Sequence, residues 1–168
     1  KLTGGSVDDE IDVEIGKGGS SVTTVVGDLN PNGRIRRTLK ITDGSTAGEY
    51  DGDVVYTGST IGMTTGACYY YKNDGTWGLT NSGTPATSTG LLAIALGDES
   101  DAHGMLLRGM VTTVAVAGTP DEGAIVYLRA SNGAMTTDQA SSGQVNRIVG
   151  YCMENSNNRI YFDPDKSW

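Results

Sequence analysis

Short runs of strand-forming residues, each closed by a glycine-containing turn, constrain this fold more than any other feature of the sequence. Tyr69-Tyr70-Tyr71-Lys72 and Thr76-Trp77 flank Asn73-Asp74-Gly75, whose glycine can adopt the positive φ of a hairpin bulge. No helix-length amphipathic pattern competes with these strands, and the 25 glycines of the chain disfavour long helices. The sequence therefore predicts an all-β protein.

Two later loops predict the same kind of pairing. Ser131-Asn132-Gly133 follows the predicted strand Ala124 to Arg129. The polar segment Glu154 to Asn158 lies between two further predicted strands, which span residues 145–153 and 159–163. Loops this short cannot make the crossover that parallel strands need, so we expect antiparallel, meander-like pairing.

Further strands are predicted at Asp53 to Thr57 and Gly104 to Ala117. Leu91 to Leu96 is continuously apolar and closed by Gly97, which favours a strand buried on both faces over a short helix. Together these strands predict an antiparallel β-barrel or β-sandwich body over residues 41–168.

Residues 1–40 differ from this body and predict an extended, Gly-rich β arm or stem. Ile11, Val13 and Ile15 alternate with acidic residues, as on a half-buried strand. Val22 to Val26 predicts a second strand, and Ile35 to Ile41 predicts a third. The arm has too few large apolar side chains to stabilise three short strands by itself. It must therefore pack on the body or on copies of itself. We expect Ile11, Val13 and Ile15 to form the oligomer contact of the arm.

The charge of the chain narrows its partners. The net charge is -8, and residues 1–40 contribute six basic and six acidic side chains, so the whole excess lies in the body. A body of that sign repels phosphate backbones, so no nucleic-acid partner is expected. No apolar run reaches the length of a membrane span, so no membrane insertion is expected either. The chain begins with Lys1, which leaves open that it is a piece of a longer protein.

Catalytic and metal-binding patterns are weak in this sequence. His103 is the one histidine and lies in a polar turn, where a solvated role is favoured. Cys68 and Cys152 are far apart in sequence, and free buried thiols are favoured over a disulfide or a reactive thiol. Acidic clusters offer a calcium alternative, but acidic turns are usually solvated; the clusters are Asp8-Asp9-Glu10, Asp51 with Asp53, and Asp98-Glu99 with Asp101. We therefore expect no catalytic, cofactor-binding or metal-binding residues, no cofactor, and no enzyme activity.

The aromatic residues of the first hairpin are the candidate contacts for a ligand or a subunit. Tyr69, Tyr70, Tyr71 and Trp77 lie on its two strands. Strand alternation places Tyr70 on the face opposite Tyr69 and Tyr71, so one set should be core and the other exposed. Packing in the core or against a subunit is favoured over stacking on a sugar.

Segments spread over most of the body also carry a resemblance to a known family. They are Lys40 to Gly44, Gly52 to Tyr56, Gly90 to Gly97, Gly104 to Val111, Val126 to Leu128, Arg147 to Cys152 and Ile160 to Asp165. In this order, residues 40–168 resemble a domain of tail-fibre-like virion proteins of tailed bacteriophages, particularly those of marine bacteria and cyanobacteria. Residues 1–39 resemble, more loosely, the Gly-rich stems that precede such domains.

The resemblance implies a structural role at the virion surface, as part of a homotrimeric tail fibre or other surface fibre or spike. Other virion proteins, and a glycan of the host surface during attachment, would then be its partners. A head-fibre or capsid-decoration protein fits the same residues. A carbohydrate-binding module, with the tyrosine hairpin as its platform, is the alternative from another functional class.

Overall fold

The computed structural model describes residues 2–4, 11–13, 39 and 46–166, and it divides the chain into two units, Lys1–Arg37 and Thr38–Trp168. In the first unit, β1 (Leu2–Gly4) pairs antiparallel with β2 (Ile11–Val13). Ile11 and Val13 thus lie in a strand, as predicted. Ile15 and the strand predicted at 22–26 lie outside the described residues.

The second unit is built almost entirely of strands, which confirms the predicted all-β class. Its helical elements are a 3-10 turn at Pro85–Thr87 and the one-turn helix α1 (Ser100–His103). The strands are β3 (Tyr50–Val55), β4 (Cys68–Tyr71), β5 (Trp77–Leu79), β6 (Leu92–Ala95), β7 (Met105–Thr112), β8 (Val116–Ala117), β9 (Ile125–Leu128), β10 (Met135–Thr136), β11 (Ile148–Glu154) and β12 (Arg159–Phe162).

These strands form one curled, mixed sheet that makes a half-barrel. The order is β5-β4-β6-β7-β12-β11-β9-β10-β8, and β3 pairs with β7 off this path. Among the described strands, all pairs are antiparallel except β8 with β10, which are parallel. β9 carries the chain back before β10 begins, so β10 runs in the direction of β8 and pairs with it in parallel.

The predicted hairpins are confirmed in detail. At the β4–β5 turn, Lys72 N–H donates to Thr76 O at 2.8 Å, Gly75 N–H donates to Lys72 O at 3.0 Å, and Gly75 has φ 80°. Gly133, with φ 69°, ends the β9–β10 turn, and β11 returns antiparallel into β12. Glycine at the positive-φ position therefore sets the register of both glycine-closed hairpins.

The centre of the sheet depends on a close approach of β3 and β7. Gly52 pairs with Gly109, and a Cβ on Gly52 would lie 2.2 Å from the main-chain oxygen of Arg108. The register shifts beside this pair, since Asp53 pairs with Arg108 while Val54 pairs with Leu106. Leu107 is therefore the extra residue of a bulge in β7, of the kind that bends a strand.

Two hydrophobic clusters lie against the sheet. The larger, which we call the inner cluster, consists of Cys68, Leu92, Ile94, Leu106, Val111, Val116, Val126, Leu128, Met135, Val149, Cys152, Ile160 and Phe162. The smaller, which we call the outer cluster, consists of Met63, Ala67, Tyr69, Trp77, Ala93, Ala95 and Met105. Successive residues of β4 and β6 alternate between the two clusters, so this part of the sheet is covered on both faces. The prediction of a doubly buried strand is confirmed for Leu92–Ala95, since all four residues of β6 are buried, whereas Leu91 is 50% exposed.

Candidate functional site

The four candidate aromatic side chains differ widely in exposure. Tyr69 and Trp77 are buried at 4% and 3% of their accessible surface, Tyr70 is half-buried, and Tyr71 is 36% exposed. Tyr69 and Trp77 belong to the outer cluster, whereas Tyr70 packs against the inner one. Both faces of β4 therefore carry core aromatics, and Tyr71 presents the most accessible ring of the four.

Hydrogen bonds hold the two buried rings in place. Trp77 Nε1–H donates to Thr57 O at 2.8 Å, and the Thr64 N–H donates to Tyr69 Oη at 2.8 Å. Both partners belong to the chain between β3 and β4, which covers this face of the hairpin. Tyr69 and Trp77 are thus anchored core residues, and a ligand arriving from solvent would meet Tyr71 first.

Tyr71 is itself supported from below by Trp77. The two ring centroids are 4.8 Å apart, with an interplanar angle of 58°. A tilted contact at this distance is favourable for two aromatic quadrupoles. The Tyr71 ring is therefore held at the surface in a defined orientation.

A surface groove of about 540 Å³ runs beside this ring. It is lined by Tyr70, Tyr71, Lys72, Asn73, Asp74, Ala86, Thr89 and Gly90. The hairpin loop provides its polar wall, and the segment around the 3-10 turn provides the opposite wall. We call this the tyrosine groove.

The charges in the tyrosine groove are already partnered. Asp74 Oδ1 accepts hydrogen bonds from the Thr76 hydroxyl at 2.7 Å and the Thr76 N–H at 3.0 Å, and its other oxygen lies 3.3 Å from Lys72 Nζ. The bonds from Thr76 hold the pKa of Asp74 below its usual value, with a smaller contribution from Lys72. With its ion pair closed on itself, the groove offers a ring face and hydrogen-bonding groups, which suits an uncharged, hydroxylated ligand.

Three lining residues of the tyrosine groove lie outside the hairpin that the sequence predicted. Ala86, Thr89 and Gly90 come from the segment between β5 and β6, which is distant from the tyrosines in sequence. Its serine and threonine side chains bond to the local main chain; Thr87 Oγ1, for example, donates to Asn81 O at 2.9 Å. A Ser/Thr-rich stretch with a proline signals a turn but not which strand it will face.

A second candidate surface lies on the solvent face of the sheet, at its other end. Registered pairs place Ile125, Tyr151, Tyr161 and Met110 side by side on β9, β11, β12 and β7. Ile125 is 37% and Tyr151 46% exposed, and the other two are half-buried. We call these four residues the outer row. It is a contiguous apolar strip across four strands, unlike the scattered single residues of an ordinary surface.

Ion pairs border the outer row. Arg108 Nε donates to Tyr161 Oη at 3.1 Å and lies 3.4 Å from Asp163 Oδ1. At the turn between β11 and β12, Arg159 Nη1 lies 2.7 Å from Glu154 Oε2. Both arginines beside the outer row therefore face a carboxylate of their own chain.

The candidate catalytic and metal-binding residues that the structure describes are not assembled into a site. His103 ends α1, half exposed, with Nδ1 3.3 Å from Asp98 Oδ1. Asp101 accepts hydrogen bonds from the Ser59 hydroxyl and N–H, which lower its pKa. Within residues 46–166 and the two short strands of the first unit, no three His, Cys, Asp or Glu side chains are grouped to hold a metal ion. Asp8, Asp9 and Glu10 lie outside the described residues.

Both cysteines are buried free thiols, as predicted. Burial raises the pKa of Cys68 to about 12, and burial also raises the pKa of Cys152. Because the thiolate is the reactive form, neither cysteine is an activated nucleophile.

Among the described residues, no helix has the length and apolar character of a membrane span. The chain matches no protein-family model, and no curated protein or solved structure matches it significantly.

Proposed function

We propose that this chain is a structural protein of a tailed-phage virion, part of a tail fibre or similar surface fibre in which copies of the chain pack against one another as a homotrimer. The observation that carries the proposal is the outer row, an apolar strip across four strands in which Ile125 and Tyr151 are 37% and 46% exposed. The resemblance of residues 40–168 to tail-fibre-like virion proteins supports the same role.

The outer row suits a second copy of the chain better than an unrelated acidic partner. Copies with a net charge of -8 repel one another in general. At the outer row, however, the neighbouring arginines and carboxylates are already paired, so two apolar strips can meet without unpaired like charges. Ile125 and Tyr151 would lose their remaining exposure, which favours association by about 25 cal/mol per Å² of apolar surface buried.

The arm is the second expected contact between copies. Ile11 and Val13 lie two residues apart in β2. With Ile15, they would extend an assembly begun by the outer row. This part of the proposal continues the expectation from the sequence.

Light scattering under native conditions tests the assembly. The wild-type chain should have the mass of a trimer, and Tyr151→Asp with Ile125→Asp should reduce that mass because charge is introduced into the apolar strip. Tyr56→Asp is the matched control, since Tyr56 is 59% exposed but lies away from the outer row. Ile11→Asp with Val13→Asp and Ile15→Asp tests the arm separately. A wild-type chain that stays monomeric at high concentration would overturn the assembly.

A different measurement is needed to locate the chain on the phage particle. Antibody against residues 46–166 should label fibres extending from phage particles in negative-stain images. Label over the capsid surface would instead assign the chain to decoration of the head. Label on neither would exclude a virion role.

The tyrosine groove favours a second candidate function, binding of a host-surface glycan. An exposed ring held by Trp77 offers an apolar face to a sugar ring, and Asn73 and Thr89 lie beside it in the same groove. A glycan array with the wild type and with Tyr71→Ala tests this role, with Tyr56→Ala as control. Binding to a glycan that only Tyr71→Ala loses would support it; binding to none would remove it and leave the fibre proposal untouched.

A further inference from the structure

A cavity of about 310 Å³ shares the lining residue Gly90 with the tyrosine groove. Its lining is Gly90, Leu91, Leu92, Leu107, Arg147, Pro164 and Lys166. This volume is at the small end of the roughly 300–1,000 Å³ range of ligand pockets. Its walls are mainly leucine and proline, with two basic side chains. We call it the Arg147 cavity.

Arg147 is an unusual side chain to find in this position, because it is only 3% exposed. Its guanidinium donates to three main-chain oxygens: Ser88 O at 2.8 Å, Gly90 O at 2.9 Å and Asp165 O at 3.0 Å. These bonds join the segment before β6 to the C-terminal segment after β12. The guanidinium is therefore fixed in orientation by neutral acceptors.

The hydrogen-bonding capacity of Arg147 is not filled by these contacts. A guanidinium has five N–H donors, and three of them are used. Within the described part of the chain, Nε–H is buried without an acceptor. A buried, charged donor without an acceptor costs about 1–3 kcal/mol or more. Because Nε is closed to solvent, the donor left for a ligand is the second N–H of Nη1, whose other N–H bonds to Ser88 O.

The Asp165 carboxylate is a nearby counter-charge of Arg147. Burial lowers the pKa of Arg147, against the opposing influence of Cys68 and of the Asp165 carboxylate. Lys166 adds a second, exposed cation at the mouth of the cavity. In an acidic body, this is a local positive site with apolar walls.

We propose that the Arg147 cavity binds a small organic acid with an apolar chain, of the medium-chain fatty acid type. The carboxylate lies toward Arg147 and Lys166, where a charge-assisted hydrogen bond is strongest. The hydrocarbon chain lies against Leu91, Leu92 and Leu107. This site is independent of the fibre proposal and of the tyrosine groove.

Nuclear magnetic resonance titration of the full chain with sodium octanoate tests the proposal, with 1-octanol and octylammonium as probes of the same length. Octanoate should give saturable shifts at Leu91 and Leu107, which line the cavity. Octanol should bind about tenfold more weakly, because it lacks the charge-assisted bond. Octylammonium should not bind.

Two variants and one matched control separate the parts of the site. Lys166→Gln should weaken octanoate binding several-fold, and Leu107→Phe should block it by filling the cavity. Lys72→Gln removes a lysine that is paired with Asp74 in the tyrosine groove, and it should leave the affinity unchanged. Both Lys166 and Lys72 are accessible enough that their replacement should not prevent folding.

The outcomes against the proposal are equally defined. Equal affinities for octanoate and octanol would show an apolar cavity without a carboxylate site. Shifts confined to the outer row would show adsorption on the exposed apolar strip. The absence of saturable shifts would overturn the site altogether.

Discussion

The two ends of the sheet have different coverings. Around β4 and β6, adjacent residues such as Cys68 and Tyr69 are buried at 0% and 4%, because the inner and outer clusters cover opposite faces. In β11, buried Val149 and Cys152 lie on the inner face, while Tyr151 and Met153 are 46% and 47% exposed. The first end is a closed, three-layered structure, and the second is a two-layered one with an open face.

The difference shows what a third layer requires. The outer cluster exists because the chain between β3 and β4 contributes Met63 and Ala67 to the face that already carries Trp77. None of the outer row belongs to this cluster or to the inner one. In the proposed assembly, this open face is where a second copy of the chain would pack.

The largest expected effect compares two isoleucines of the open end. Ile160→Ala should lower the free energy of unfolding by about 3 kcal/mol, since Ile160 is fully buried and its truncation leaves a cavity. Ile125→Ala should cost less than about 1 kcal/mol in the isolated chain, because Ile125 is already 37% exposed. Urea unfolding measures both.

Protein concentration sharpens this comparison. If copies pack through the outer row, the cost of Ile125→Ala should grow with protein concentration, whereas that of Ile160→Ala should not. An equal cost for the two variants would mean that the outer row is as buried as the inner cluster, and the contrast between the ends would be lost.

The next effect concerns the stability of the protein at alkaline pH, which reports whether water reaches the buried Cys68 thiol at the closed end. Burial raises the pKa of Cys68 to about 12 from an ordinary 9.0. Below pH 9 the thiol is protonated in both states and its contribution is constant. Between about 9 and 12 only the unfolded state ionises, so stability falls as pH rises. At about pH 10.5 the loss should be about 2 kcal/mol, since one pKa unit corresponds to about 1.4 kcal/mol.

Cys68→Ala provides the comparison for that pH effect. The variant loses packing at every pH, but it should lack the part of the alkaline decline that belongs to Cys68. Denaturant titrations of both proteins from pH 8 to pH 10.5 measure the difference, in which tyrosine ionisation cancels. Parallel declines would mean that water reaches Cys68 and that the closed end is not dry.

Local patterns in the sequence predicted much of the fold. The glycine-closed hairpins depend on residues a few positions apart, so Asn73-Asp74-Gly75 was sufficient to predict its turn. The continuous apolar run Leu92–Ala95 reflects burial on both faces, and it was correctly interpreted as a strand. The first half of β3 was missed by the sequence pattern: the strand begins at Tyr50, whereas the predicted start was Asp53. The glycine that hid this half, Gly52, is there because β7 approaches too closely for a side chain.

The elements that the sequence did not predict depend on distant contacts. β10 has two residues and exists only because it pairs with β8 and β9. The polar turn around His103 was expected to be irregular, but it forms the helix α1, with the His103 N–H bonded to Glu99 O at 2.9 Å. Similarly, strand alternation predicted that one face of the tyrosine hairpin would be exposed. Residues 56–67 instead cover the face that carries Tyr69 and Trp77. The groove beside Tyr71 could not be predicted, because its second wall lies in another loop.

The smallest expected effect tests how firmly Trp77 holds Tyr71, the most accessible of the four candidate aromatic rings. Tyr71→Ala removes the ring that packs 4.8 Å from Trp77, and it should lower the free energy of unfolding by about 1 kcal/mol, the usual size of such an aromatic contact. Trp77 should then meet water, with a shift of its fluorescence to longer wavelength. Tyr71→Phe is the matched control, because it keeps the ring and removes only the hydroxyl, so both stability and emission should match the wild type. If Tyr71→Ala also matched the wild type, the ring would not be held by Trp77, and the tyrosine groove would lose the fixed orientation on which stacking against a sugar depends.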